Sequence, residues 1–203
     1  MTQWVVEPEW KGETAFIVGG GTSVQAQNLS RLRGCKVIAI NSSYEALPFA
    51  QVLFFNDARW WKKHSAALAS FLGRIATVSD AATGGQLLKL RRAPPEVGLA
   101  LDPGTVCSLR TSLQGAMNLA FHLGVSRMVL LGADACRADD GRSHHHTPHP
   151  WKNKPGNLTW DIQMGQLKGI VKPLQARGVE VLNASPISRI PWWPKVDYET
   201  FIS

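Results

Sequence analysis

The 203-residue chain lacks most of the marks by which secreted, membrane-spanning and metal-knuckle proteins are known. Its three cysteines, Cys35, Cys107 and Cys136, are odd in number and have no CxxC spacing. That argues against a disulfide framework and a four-cysteine zinc site and fits a reducing cytoplasm. No run of about 18 apolar residues occurs, so no membrane-spanning helix is expected. The opening MTQWVVEPEWKGE carries acidic residues and no apolar core, unlike a signal peptide. Acidic side chains are few, 15 against 22 lysines and arginines, for a net charge of +7. This balance favours anionic partners such as nucleotides, phosphates or nucleic acid. The basic residues are scattered, with short clusters only at 60–63 and 89–92, and no zinc-finger or RNA-recognition signature occurs. Nucleic acid is therefore the less favoured partner.

Several catalytic signatures are missing as well. There is no GxSxG elbow to anchor a serine hydrolase. No Gly-Lys-Ser/Thr follows a glycine-rich loop, and the full GxGxxG spacing is absent. Cys107 matches no thiol-protease signature.

What remains is the pattern of an α/β protein. The length suits one domain, 1–203. Short apolar runs rich in Val, Ile and Phe predict strands over 14–18, 36–40, 51–55, 74–78, 127–131 and 179–182. Helical patterns fall between them at 24–32, 58–72, 111–123 and 161–177. Continuous apolar strands alternating with helices predict a single Rossmann-like, doubly wound, mainly parallel sheet covered on both faces. In the third helix Leu113, Met117, Ala120 and Phe121 share the sheet-facing side, and Gly124 is placed to end it. The stretch 81–106 is loop-rich, with a short strand at 87–90. The stretch 133–160 is a long His-rich loop near the C-terminal strand ends, of the length that closes over active sites. The tail 186–203 is expected to fold back over the domain or a partner.

Ligands of open α/β sheets bind beyond the carboxyl ends of the strands, and small polar residues occur at each predicted end. Gly19-Gly20-Gly21-Thr22-Ser23 follows the first strand. Its glycines permit close backbone approach, the next helix start attracts phosphate, and Thr22 or Ser23 can cap that helix. A plain capped turn is the alternative. Asn41 and Asn56, at the ends of strands two and three, either bond a base or ribose or close their own turns. Asp57 is placed as an N-cap. Asp134, in LLGAD, either binds a divalent metal or orients a ribose hydroxyl. The segment Ser143-His144-His145-His146-Thr147-Pro148-His149 offers imidazoles as a general base or metal ligand. His64 and His122 lie in helical patterns and are read as structural.

In this order the pieces resemble the bacterial sialyltransferase family and the related archaeal 6-hydroxymethylpterin diphosphokinase-like superfamily, with phage and prophage proteins of the same type. AFIVGGGTSV is similar to the family's opening strand and Gly-rich turn. VIAINSSYE and VLFFNDARWW resemble the second and third strands, each ending in Asn. LRTSLQGAMNLAFHLGVSRMVLLGAD resembles the Thr-Ser helix and the strand ending in Gly-x-Asp, and VEVLNASPISRI the last strand. The likeness runs from 14 to 190 with a gap over 81–106. In the sialyltransferases these turns hold the cytidine nucleotide of the sugar donor. That implies Gly20, Gly21, Thr22, Ser23, Asn41, Asn56, Thr111 and Ser112 around a nucleotide here. Arg110 becomes a candidate for phosphate or carboxylate, which its planar fork suits. The family's general base is a loop histidine; here the loop offers His144, His145, His146 and His149, of which His146 or His149 is taken as the base. The family's paired tyrosines, which support the leaving phosphate, have no counterpart; the only tyrosines are Tyr44 and Tyr198. In the diphosphokinase branch ATP is used with Mg or Mn, and Asp134 becomes catalytic and metal-binding.

The expectation is a cytoplasmic, nucleotide-dependent transferase, foremost one that moves a sugar from a CMP-sugar-like donor. Two alternatives stand beside it: an ATP- and Mg-dependent diphosphokinase, and a non-catalytic nucleotide- or metal-binding phage protein. The Trp192-Trp193 pair is either the contact of a homo-oligomer or packing over the core.

Overall fold

A computed structural model describes residues 3–84, 86–147 and 158–202. Its centre is a seven-stranded parallel sheet built from β1 (Thr14–Val18), β2 (Lys36–Ile40), β3 (Val52–Phe55), β4 (Arg74–Thr77), β5 (Leu87–Lys89), β8 (Arg127–Leu131) and β9 (Glu180–Asn183). The order is β5-β4-β3-β2-β1-β8-β9. A two-stranded ribbon, β6 (Arg91–Arg92) and β7 (Thr105–Val106), stands apart. Phe16 of β1 is registered with Val37 on one side and Val129 on the other, so β1 is buried at the middle of the sheet.

The period of two along each strand separates two cores. Ala15, Ile17, Ile38, Phe54, Met128 and Leu130 face one layer, against Met117 and Ala120 of α2 (Ser112–His122) and Leu167, Ile170 and Leu174 of α3 (Leu158–Gln175). Phe16, Val18, Val37, Phe55, Val129 and Leu131 face the other, against Trp60 and Trp61 of α1 (Ala58–His64), Leu29, Leu32 and Leu47. Burial on both faces is why the strands read as unbroken apolar runs.

α2 begins where Thr111 Oγ1 accepts the Leu113 N–H at 3.2 Å and ends at Gly124, whose φ of +89° closes the C-terminal turn. Two of the expected helices are shorter than their patterns. The stretch expected as a helix over 24–32 is two 3₁₀ turns, Thr22–Ala26 and Leu29–Leu32. Gln27 (φ −106°, ψ 135°) and Asn28 (φ −80°, ψ 82°) between them leave the helical region and break the run. The expected helix over 58–72 ends at His64 and continues as a 3₁₀ turn, Ala67–Ser70, whose only buried anchor is Leu68. α3 begins at Leu158, inside the stretch expected as loop. The tail returns to the molecule. Trp193 joins the first core and Tyr198 the second. Asn183 N donates to Pro194 O (2.9 Å) and Val196 N to Asn183 O (3.1 Å), so the tail covers the β9 edge.

Candidate functional site

The chain winds outward from β1 through β2 to β5, then returns to the opposite side of β1 with β8 and β9. The sheet therefore has its topological switch point between β1 and β8, where the loops after the strands diverge and leave a crevice. A cleft of ≈ 610 Å³ opens there, a size ordinary for a small-molecule site.

Its floor is two glycine turns in close contact. Gly19 N donates to Leu131 O at 2.8 Å and Gly21 N to Gly132 O at 2.9 Å. A side chain on Gly21 would overlap the Asp134 carboxylate and the Gly132 carbonyl. Asp134, 3% exposed, is engaged on both oxygens. Oδ2 accepts from Ser23 N (2.9 Å) and Thr22 Oγ1 (3.4 Å), and Oδ1 accepts from Ser23 Oγ (2.5 Å). Thr22 and Ser23 are thus turned inward, bracing the turn against β8, while Gly20, Gly21 and Asp134 line the cleft.

The walls come from neighbouring strand ends. Asn41, after β2, has φ +50°; Ala135, after β8, has φ +52°. These are the two non-glycine residues with positive φ among those described, and both line the cleft. Backbone strain concentrated at one crevice is a mark of functional sites. Asn56, after β3, accepts from Ser108 Oγ at 2.9 Å. Asp57 caps α1 by accepting from Arg59 N (2.8 Å) and is gripped by the Arg59 guanidinium through Nε (3.1 Å) and Nη2 (2.6 Å). That hydrogen bonding holds its carboxyl below the usual range. Thr111 and Ser112 open α2 at the opposite wall. Arg110 before them is fixed by α3: its N–H donates to Gln166 Oε1 (3.0 Å) and its carbonyl accepts from Gln163 Nε2 (3.2 Å). The guanidinium groups of Arg92 and Arg110 have no carboxylate partner among the described residues, so the cleft carries uncompensated positive charge.

The histidine loop covers the glycine turn. His144 and His146 line the cleft, their ring centroids 4.9 Å apart. Gly20 faces them, and a Cβ there would lie 3.1 Å from His144 Cδ2 and 3.3 Å from His146 Nε2. His146 Nδ1 lies 3.0 Å from Thr147 O. A carbonyl only accepts, so Nδ1 carries a proton. His145 turns the other way, onto Ser43. Burial, then the neighbouring His146 and His144, push its pKa down to about 4 against an opposing effect of Asp134. His149 lies outside the described residues.

Of the residues singled out from sequence, Gly20, Gly21, Asn41, Asn56, Arg110, Thr111, Ser112, Asp134 and His146 line this one cleft. Thr22 and Ser23 stand behind its floor. Sequence reasoning missed Arg59, Arg92, Trp160 and Gln163, which also line it. Trp160 lies under the Arg137 guanidinium, 5.5 Å from its ring centre. His64 is buried and stacks on Trp60 at 4.6 Å. Among the described residues no group of three or more His, Cys, Asp or Glu is arranged to hold a metal ion, and no helix is long and apolar enough to cross a membrane.

No protein-family model matches the sequence, and none of the curated proteins does. Solved structures do. The monofunctional alpha-2,3-sialyltransferase Cst-I from Campylobacter jejuni superposes with a TM-score of 0.56 at 16% identity, over 91% of this chain and 80% of that one. The sialyltransferase CstII from Campylobacter jejuni, in complex with the substrate analogue cytidine-5'-monophosphate, gives 0.50 at 13% identity, over 91% and 85%. At such identities the likeness is one of fold: a sialyltransferase-like, Rossmann-like α/β sheet.

Proposed function

We propose that this protein is a nucleotide-dependent glycosyltransferase whose donor is a CMP-sugar. The observation that carries the reading is the convergence, at the switch point, of a glycine turn, two asparagines at strand ends, uncompensated guanidinium charge and the imidazoles of His144 and His146. A fold shared with a sialyltransferase solved with cytidine monophosphate adds support.

In this reading Asn41 and Asn56 hold the nucleoside through amide hydrogen bonds. The donor phosphate lies between Gly20–Gly21, the start of α2 at Thr111 and Ser112, and Arg110. A helix N-terminus and a guanidinium both favour the negative charge that grows there as the phosphate leaves. His146 Nε2 takes the proton of the acceptor hydroxyl as its oxygen bonds the anomeric carbon. The bond from that carbon to the phosphate oxygen breaks, and CMP departs with the electron pair. Asp134 acts through the floor, holding Ser23 and so the shape of the turn. Among the described residues both Asp134 oxygens accept hydrogen bonds from the glycine turn and Asp57 is paired with Arg59.

The test is calorimetric titration of the protein with CMP, UDP, GDP and ATP, with and without magnesium or manganese. CMP is expected to bind without metal and more tightly than the other nucleotides. Binding of ATP that requires magnesium, with none of CMP, would overturn the proposal in favour of phosphoryl transfer.

A further inference from the structure

The three consecutive histidines do not share one environment. His144 and His146 line the cleft, and His145 between them is directed into the protein. Its backbone is stitched to the glycine turn: its N–H donates to Gly20 O at 2.9 Å, and its carbonyl accepts from Gln25 Nε2 at 3.4 Å. Gln25 in turn accepts from Arg142 Nη1 at 2.9 Å, so the loop is fastened to the segment after β1 on both sides of His145. The ring Nε2 lies 3.1 Å from Ser43 Oγ, and that oxygen lies 2.9 Å from Gly19 O.

The two contacts of Ser43 settle the proton. A hydroxyl has one hydrogen. The Gly19 carbonyl can only accept, so Ser43 donates there and must accept from His145. His145 Nε2 is therefore protonated, and in the neutral ring Nδ1 is not. A ring so used has no lone pair at Nε2, and its pKa of about 4 keeps it neutral at physiological pH. The groups acting on it electrostatically are His144 and His146 from its own loop and Asp134 from the loop after β8.

We infer that His145 is a positioning residue: by donating its Nε2 proton to Ser43 it clamps the histidine loop on the glycine turn and sets His146 over Gly20, without itself exchanging a proton with substrate. The catalytic part rests on the glycosyl-transfer reading above; the clamp does not. Misplacement of a reacting group by about 1 Å lowers turnover by about 10²-fold, so losing the clamp should lower kcat on that scale and leave the KM for the donor nearly unchanged.

The experiment compares His145→Gln with His145→Leu. Glutamine places an N–H close to that of Nε2; leucine fills the space without one. Glutamine is expected to retain turnover within a few-fold while leucine loses about 10²-fold. Equal loss in both would overturn the inference and assign His145 the proton transfer itself. The second arm is nitrogen NMR of the imidazoles in the unliganded protein, which needs no activity. The expected signature is an Nε2–H tautomer that does not titrate between about pH 5 and 8, and that collapses in Ser43→Ala. An Nδ1–H tautomer, or titration at the ordinary histidine pKa, would overturn the clamp. Absence of transfer in the unmodified protein, with this signature intact, would defeat the glycosyl-transfer reading alone.

Discussion

Replacing Asp134 separates two roles that a carboxylate at a strand end can have. If it braces the floor, its removal is chiefly a loss of stability. Asp134→Ala strands the Ser23 N–H and hydroxyl in a position where the carboxylate is 3% exposed. Each buried donor left unpaired costs about 1–3 kcal/mol, so the loss should be about 4 kcal/mol. Asp134→Asn keeps one acceptor for Ser23 N–H. Its amide can donate to Ser23 Oγ once that hydroxyl turns, which leaves only the charge assistance lost, about 1–2 kcal/mol. The assay is urea unfolding. With a slope of about 2 kcal/mol per molar, ordinary for a chain of this size, the alanine variant should shift the midpoint down by about 2 M and the asparagine variant by less than 1 M. Nucleotide affinity of the folded asparagine variant should fall only modestly, since the turn survives. The reasoning fails if Asp134→Asn unfolds at the original midpoint yet loses a magnesium-dependent nucleotide affinity, because that is the behaviour of a metal ligand.

Two further outcomes are expected. His146→Ala should lower kcat by about 10²–10⁴-fold, the range for a positioned general base, with CMP affinity by calorimetry unchanged; retained turnover would remove His146 from the proton transfer. Stability should also fall with acid. An unfolded imidazole protonates near about pH 6.5, whereas folded His145 stays neutral down to about 4. The unfolded chain therefore binds more protons in that window. The contribution is fully present above about pH 6.5 and is lost as pH falls towards 4, by about 1–2 kcal/mol once its partial solvent access is allowed for. Burial lowers the pKa of His64 and His122 as well, which steepens the fall. Urea midpoints at pH 7.5 and 5 measure it, and the slope should flatten in His145→Gln.

The strands were legible because parallel strands at the middle of a sheet are buried on both faces, so Thr14–Val18, Lys36–Ile40 and Arg127–Leu131 have the bounds that their apolar runs predict. Gly20, Asn41, Asn56 and Asp134 were legible as the small polar residues that end such strands. The helix expected after β1 was not, because the backbone leaves the helical region at Gln27 and Asn28 and splits the stretch into two 3₁₀ turns. Arg92 and Trp160 were hidden for another reason. Arg92 lies on a two-residue strand within a loop-rich stretch and Trp160 in the first turn of α3, and only the tertiary fold brings them beside β1.

The histidine run shows where local pattern and tertiary contact meet. The sequence places the three histidines in one loop. Which of them face the cleft is not written there, because it depends on Ser43, 102 positions earlier, just after the neighbouring strand. Ser43 can receive His145 only because its own proton goes to Gly19, and Gly19 has its place because its N–H is bonded to Leu131 across the switch point. The orientation of the imidazole over Gly20 is thus set by the same pairing of β1 with β8 that opens the cleft. A substitution that slips that pairing should disable the site at both levels, by closing the crevice and by releasing the loop that carries the base.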